Sequence, residues 1–214
     1  MTPPTLDLER SLLARGARRV AGIDEVGRGA LAGPVSVGAV VVDASVGPVP
    51  DGLTDSKALT PGARDRLEPI VASWCVAWAI GHAEAHEVDA LGIIGALRVA
   101  ALRAIAALSV PCDAIILDGS HDWLSDDADL FAGDAMTPPV TTRVKADLAC
   151  ASVAAASVLA KVARDRRMVA LDGILPGYGF AGHKGYGSAS HRQAIASLGA
   201  TSEHRRSWRL LPGD

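Results

Sequence analysis

The chain is poor in cysteine and has neither a long apolar run nor a basic leader, and each of these shortages excludes something. Its 3 cysteines in 214 residues, Cys75, Cys112 and Cys150, are odd in number and widely scattered. They cannot form a disulfide framework and do not have the spacing of a zinc site, so reduced core thiols in a cytoplasmic protein are expected. The longest apolar stretches, Ala30–Val42 and Leu148–Ala160, are too short and too interrupted to span a bilayer. Asp7 and Glu9 stand where a secretion signal has bases and then apolar residues, so no signal and no membrane partner are expected. A composition of 49% hydrophobic and 21% charged residues is that of an ordinary globular chain. No repeat or linker divides it, and a single domain over residues 1–214 is expected.

Charge is unevenly placed. Residues 1–142 carry 10 Lys and Arg against 19 Asp and Glu, whereas residues 143–214 carry 11 against 5. Scattered surface charge would give such a split, and so would a basic surface for a polyanion beside an acidic region that needs cations. The order of elements is better defined. A short helix over Leu6–Arg15 precedes strands at Arg19–Asp24, Val35–Val42 and Trp74–Gly81, with a helix over 61–72 capped by Thr60-Pro61 between the last two. A helix over about 86–107, a short strand at Ala114–Leu117, a polar loop over 120–139 and a strand at Val140–Val144 follow. A long helix over Asp147–Leu171 then ends in Arg164, Arg166 and Arg167, where the helix dipole favours cations. Residues 173–190 form a glycine-rich loop, and 191–214 hold a short helix and a tail. Three strands first and alternation afterwards give an α/β class with a mixed sheet.

Three segments could carry chemistry. In GIDEVGRGALAGPV, residues 22–35, Asp24 and Glu25 stand where a buried strand runs out. Gly27, Gly29 and Gly33 roughly match a dinucleotide fingerprint, but that motif needs a helix next. Pro34 and the Val-rich run Val35–Val42 make a strand instead, and the two carboxylates would repel a pyrophosphate. Carboxylates there suit a hard cation such as Mg²⁺ or Mn²⁺. Asp118 also ends an apolar strand; if strands 19–24 and 114–118 are parallel neighbours, Asp24 and Asp118 emerge together at their C-terminal edge. Asp147 is a third position able to point the same way. Each has a plainer reading: a turn at Asp118-Gly119, an N-cap at Asp147, a solvated strand end at Asp24-Glu25. The loop Gly182–Ser188, with Lys184, Tyr186 and Ser188, could stack on a sugar or base and bond phosphates, or be plain surface. Lys57 in Asp55-Ser56-Lys57 is either part of a turn or a phosphate contact.

Together these segments resemble the type 2 ribonucleases H of bacteria, the ribonuclease HII family. The likeness runs through GIDEVGRGALAGPV at 22–35, DSKAL at 55–59, ILDGS at 116–120, VKADLACASVAAASVLAKVARDRRM at 144–168, HKGYGSASH at 183–191 and SEHRRSW at 202–208. It implies a ribonuclease H-like fold, a five-stranded mixed sheet flanked by helices, with a substrate-contacting C-terminal extension over about 172–214. It also implies a four-carboxylate site of Asp24, Glu25, Asp118 and Asp147 holding Mg²⁺ or Mn²⁺, two ions with substrate present. The fourth acid usually follows Lys-Gly, whereas here it follows Lys145-Ala146, and Asp134 in the long 120–139 loop is a decoy for it. By the same resemblance Gly27, Arg28, Gly29 and Tyr186 sense a ribose 2′-hydroxyl, with Lys57, Lys184 and Ser188 as further substrate contacts. The expected substrates are RNA–DNA hybrids and duplex DNA holding single ribonucleotides, cut by a monomeric enzyme to 3′-hydroxyl and 5′-phosphate ends.

Overall fold

The computed structural model describes residues 3–125 and 137–211; Asp126, Asp127, Asp129 and Asp134 of the expected polar loop lie outside them. Val20–Val26 (β1), Val35–Val42 (β2) and Ala77–Ala83 (β3) pair antiparallel in sequence. Ala114–Asp118 (β4) pairs parallel with the far side of β1, and Val140–Arg143 (β5) pairs parallel with β4, giving the order β3-β2-β1-β4-β5. All eight residues of β2 are buried. A strand covered on both faces has no solvent side, which is why VSVGAVVV reads as one apolar run instead of alternating.

Alternation along β1 and β4 sorts their side chains between two cores. Ala21, Ile23, Ile115 and Leu117 face Ala85–Ala107 (α3), whose Ala96, Leu97, Ala100 and Ala104 are fully buried. The first turn of α3 is closed by a capping box between Glu84 and Glu87, and Gly92, at φ 68°, kinks the helix. By length and composition α3 is apolar enough to cross a membrane, which the apolar runs singled out in the sequence do not include. Its alanine-rich face packs on β2 and β3 as a core helix. On the opposite side, Val20 and Ile116 face Ala151–Ile174 (α5), with Asp7–Ala14 (α1) and Pro61–Trp74 (α2) beside it. A Cβ at Gly22 would overlap the Ser152 backbone, so the missing side chain lets α5 lie directly on β1.

Three boundaries differ from expectation. The helix α2 continues to Trp74, and β3 starts only at Ala77. The helix expected from Asp147 is two: a single turn Ala146–Ala149 (α4), then α5 after Cys150, whose backbone is extended at φ −112°, ψ 124°. The break is caused by the N-terminal segment, because Thr5 donates to Ala149 at 3.0 Å and accepts from Ala151 at 2.8 Å, in a bridge to Cys150. Inside the glycine-rich loop lies a further turn, Phe180–His183 (α6), ahead of Ala189–Leu198 (α7).

The close approach at Gly22 is testable. Gly22→Ala should destabilise the protein by about 1–3 kcal/mol through overpacking, read as a lower urea midpoint with unchanged m-value. An unchanged midpoint would mean that α5 can retreat from β1 without cost.

Candidate active site

The parallel register Ile23↔Leu117 makes Asp24 and Asp118 the next residues on adjacent strands, and both continue the face that packs on α5. Asp24 is buried at 3% exposure with the Ser157 hydroxyl of α5 in hydrogen-bonding reach. Glu25 points to the other side of β1 and pairs with Arg28 at 3.3 Å. Asp118 accepts from the Ala146 N–H at 2.7 Å, which ties the end of β4 to the start of α4. Asp147, in that same turn, is 6% exposed and has the Lys57 ammonium 3.5 Å away. The structure therefore brings all four acids to one end of the sheet.

Lys145 adopts the left-handed conformation, φ 57°, and Ala146 does not. The methyl that replaces the usual glycine thus sits on an ordinary helical residue, and the N–H that fixes Asp118 is retained. The Asp55-Ser56-Lys57 turn is held from behind. Asp55 accepts from the Lys57 N–H at 3.0 Å, and the Arg64 guanidinium donates to the Ser56 and Leu59 carbonyls at 2.9 and 2.7 Å.

These carboxylates are expensive to ionise together. Burial pushes Asp24 well above the usual aspartate range, the charges of Glu25 and Asp118 add to it, and Lys57 opposes. Burial also raises Glu25, partly offset by Arg28, and raises Asp147, with the Asp118 charge adding to it. For Lys57, desolvation pulls the ammonium down, but Asp24, Asp55 and Asp147 outweigh it and raise it overall. An all-oxygen, mostly aspartate donor set with one exposed lysine among it fits hard divalent cations. Among the described residues no three of these side chains yet stand at metal-ligating distance of a common point. A bound ion would have to draw them inward.

A pocket of about 450 Å³ lies over this cluster, lined among others by Asp24, Glu25, Asp118, Arg28, Lys57 and Tyr186. Gly27 and Gly29 form its rim. At Gly27, φ is 83° and a Cβ would overlap the Arg164 guanidinium, so only glycine fits. Tyr186 accepts from the Gly27 N–H through its hydroxyl, at 3.2 Å, across 159 residues of chain. Lys184 lines a neighbouring cavity of about 640 Å³ with Lys161 and Tyr186. Ser188 lines neither: it caps α7 by accepting from the His191 N–H at 3.2 Å, and its hydroxyl meets Ser190.

Two residues central to this rim were not singled out by sequence reasoning. Arg164, expected at a helix end as a dipole partner, is fully buried and donates to the carbonyls of Pro34, Lys184 and Ala32. Arg205 is fully buried as well and donates to Gly27 at 2.7 Å, Arg28 at 2.9 Å and Gly33 at 3.1 Å. Burial lowers both, Arg205 to about 10 with the Arg164 charge adding to it. The sequence signal was present in KVARDRRM and SEHRRSW, but a buried arginine and a surface one look alike in a single sequence. Arg166 and Arg167 form surface pairs with Glu68 and Glu84, so a good part of the basic C-terminal third is engaged in intramolecular contacts. The glycines from Gly27 to Gly33 lead into β2 and not into a helix, which removes the dinucleotide fingerprint.

The pattern of the family described as Ribonuclease HII matches residues 21–211. A Ribonuclease HII of Streptomyces griseus is 48% identical over 213 residues, covering 98% of this chain and 85% of the relative. A Ribonuclease HII of Paracoccus denitrificans is 47% identical over 209 residues, covering 97% and 93%. Among solved structures, ribonuclease H2 from Pyrococcus horikoshii OT3 aligns at TM-score 0.67 with 26% identity, over 90% of this chain and 94% of that one. RNase HII of Archaeoglobus fulgidus, in its complex with PCNA, aligns at 0.65 with 25% identity, over 89% and 95%. Bst-RNase HIII in complex with Mn²⁺ aligns at 0.61 with 20% identity, over 91% and 68%, and shares the fold.

The raised carboxylates make the site a source of instability. A group whose folded pKa exceeds its unfolded one holds its proton longer in the native state, so stability falls as pH rises from the usual carboxylate range through the folded pKa. Asp24→Asn should therefore raise the melting temperature of metal-free protein at neutral pH, by about 2–4 °C for each kcal/mol relieved. The gain should shrink toward about pH 4, where the native aspartate is already protonated. Calorimetry of both proteins across that range checks this; a lower melting temperature for the variant at neutral pH would refute it.

Proposed function

The chain belongs to the ribonuclease HII family and is an endoribonuclease of the ribonuclease H type, and from this we propose that it hydrolyses the RNA strand of RNA–DNA hybrids and nicks duplex DNA on the 5′ side of single embedded ribonucleotides. The observation that carries the reading is the junction of two different chemistries in one pocket: a carboxylate cluster at the ends of β1 and β4, and a Tyr186–Gly27 contact at its rim.

Asp24, Glu25, Asp118 and Asp147 would hold Mg²⁺ or Mn²⁺, two ions with substrate bound. Such ions, when bound, neutralise the phosphate, activate a water and stabilise the leaving 3′-oxygen, giving 3′-hydroxyl and 5′-phosphate ends. Asp24, the most buried of the four and flanked by Glu25 and Asp118, is best placed to be shared between cations. Lys57 keeps a cation beside Asp147 and faces the pocket, where it can also meet a substrate phosphate. Tyr186 accepts from Gly27 and still has its own hydroxyl hydrogen to donate, which suits a ribose 2′-oxygen; the backbone of Gly27, Arg28 and Gly29 completes the contact. Arg164 and Arg205 hold that rim rigid from beneath. Recognition through the 2′-hydroxyl and the backbone does not depend on base sequence. Lys184 in the adjacent cavity suits the continuing strand. Ser188, as the cap of α7, supports the loop that carries Tyr186 and Lys184. We place the protein in the cytoplasm, as a monomeric single domain removing ribonucleotides misincorporated into DNA.

A labelled duplex DNA with one ribonucleotide, incubated with Mg²⁺, Mn²⁺ or chelator, tests this directly. A metal-dependent nick immediately 5′ of the ribonucleotide is expected, and failure to cut both this substrate and a long hybrid would overturn the reading. Asp118→Asn should lower cleavage of either substrate by at least about 10³-fold with the fold intact, since it removes a charge needed at the reacting phosphate. Tyr186→Ala should cost single-ribonucleotide nicking far more than cleavage within RNA tracts; equal losses would remove Tyr186 from 2′-hydroxyl recognition.

A further inference from the structure

Tyr186 reaches Gly27 only if its own backbone is fixed: its N–H donates to the His183 carbonyl at 3.0 Å, its carbonyl accepts from the Ser188 N–H at 2.8 Å, and among the described residues the one side chain that also meets that carbonyl is His191, backed by His204. His191 in α7 is 0% exposed and His204 in the following segment 1%. The Nδ1 of His191 lies 2.9 Å from the Tyr186 carbonyl, and its Nε2 lies 3.2 Å from the Nε2 of His204. The Nδ1 of His204 receives the Thr201 N–H at 3.0 Å, with the Thr201 hydroxyl also at 2.9 Å.

Hydrogen-bond logic leaves one arrangement of protons. A nitrogen that receives a backbone N–H carries no proton, so His204 is protonated on Nε2. That N–H must donate to the bare Nε2 of His191, and His191 therefore carries its proton on Nδ1 and donates it to the Tyr186 carbonyl. A second proton on His191 would set two N–H groups against each other at Nε2, and a second proton on His204 would set its Nδ1–H against the Thr201 N–H. Burial accordingly lowers both, His204 to about 4, and His183, Arg192 and Arg206 add like charge around them. His183 is stacked on His191 at 4.3 Å, and Phe180 packs edge-on at 5.4 Å, so the rings have no room to turn over.

We propose that His191 and His204, each held in one neutral tautomer, are positioning residues that fix Tyr186 against Gly27 and so set the preference for a single ribonucleotide over a continuous RNA tract. The chain of donors runs from the Thr201 backbone through His204 and His191 to the Tyr186 carbonyl. Neither histidine touches the pocket over the carboxylates. The proposal rests on the reading of Tyr186 as the 2′-hydroxyl contact.

Two isosteric changes separate positioning from bulk packing. In His191→Asn the amide nitrogen falls near the Nδ1 position and keeps the donor to Tyr186. In His191→Gln the amide reaches the Nε2 position, where its oxygen can accept from His204, and the Tyr186 carbonyl is left with the Ser188 N–H alone. Thermal melts report whether each folds, and kcat/KM is read on a single-ribonucleotide duplex and on a long hybrid. We expect His191→Gln to lower the ratio of the two by about tenfold, the worth of one buried hydrogen bond, and His191→Asn to hold it near that of the unmodified protein. Nitrogen-15 spectra of the unmodified protein should show His191 protonated on Nδ1 and His204 on Nε2 near neutral pH. Equal losses on both substrates in His191→Gln, or an Nε2-protonated His191, would overturn the positioning role. An unmodified protein that cuts long hybrids but leaves an embedded ribonucleotide intact would instead defeat the 2′-hydroxyl reading itself and this proposal with it.

Discussion

Repulsion among carboxylates at the ends of β1 and β4 is the constraint around which the rest of the molecule is arranged. Parallel pairing of β1 with β4 puts Asp24 and Asp118 on neighbouring strands, and packing of α5 against them removes most of the water. In that setting burial and the neighbouring charges of Glu25 and Asp118 raise Asp24, and the fold supplies only partial relief. Lys57 stands beside Asp147, Arg28 beside Glu25, and the Ala146 N–H on Asp118. None of these is a buried, bidentate ion pair that would neutralise the cluster outright. A site so incompletely compensated is poised to gain from an added cation, and the same shortfall costs the folded state in its absence.

At the rim, by contrast, buried charge is met by backbone carbonyls. Among the described residues, Arg164 and Arg205, both fully buried, donate to backbone carbonyls of Gly27, Arg28, Ala32, Gly33 and Pro34 and of Lys184. A buried guanidinium is tolerable only when many of its donors are used, and five fixed N–H groups suit a tight turn whose carbonyls all point inward. The cost of burying two cations is thus tied to the rigidity of the glycine-rich turn. Replacing either by lysine would keep the charge and lose the fork.

The sheet and its carboxylates were largely legible in the sequence because their signals are local. Strand ends with adjacent acids, the Val-rich β2 and the Thr60-Pro61 cap each follow from a few neighbouring residues, whereas the parallel pairing stood only as a condition and the grouping of the four acids came from the likeness to ribonuclease HII. The break at Cys150 was not legible, since it depends on Thr5, far away in sequence, taking the place of a helical hydrogen bond. The kink at Gly92 was hidden inside an apolar helical pattern, and the role of Arg164 was hidden because its position in a helix's last turns has an ordinary surface explanation. Ser188 shows the converse. Its place in a functional-looking loop suggested substrate, whereas a Ser three residues before a backbone N–H is also the simplest N-cap.

The two halves of the site are built to different tolerances, and the difference follows from what each must do. The carboxylates need freedom to close on cations, and they are held by single hydrogen bonds and one exposed lysine. On the proposed reading the rim tells a hydroxyl from a hydrogen, a distinction of one atom, and it is held by buried arginines, a positive-φ glycine and a pair of buried histidines. The Gly27–Pro34 segment and the C-terminal segment are joined by several hydrogen bonds, and the one that lies at the pocket runs from the Gly27 N–H to the Tyr186 hydroxyl. Glu25 and Gly27 are two residues apart, so the Tyr186 contact adjoins the end of β1. On that reading, rigidity in the C-terminal segment bears on where a substrate phosphate would lie over the carboxylates, and the Tyr186–Gly27 contact would couple recognition to the position of the scissile bond.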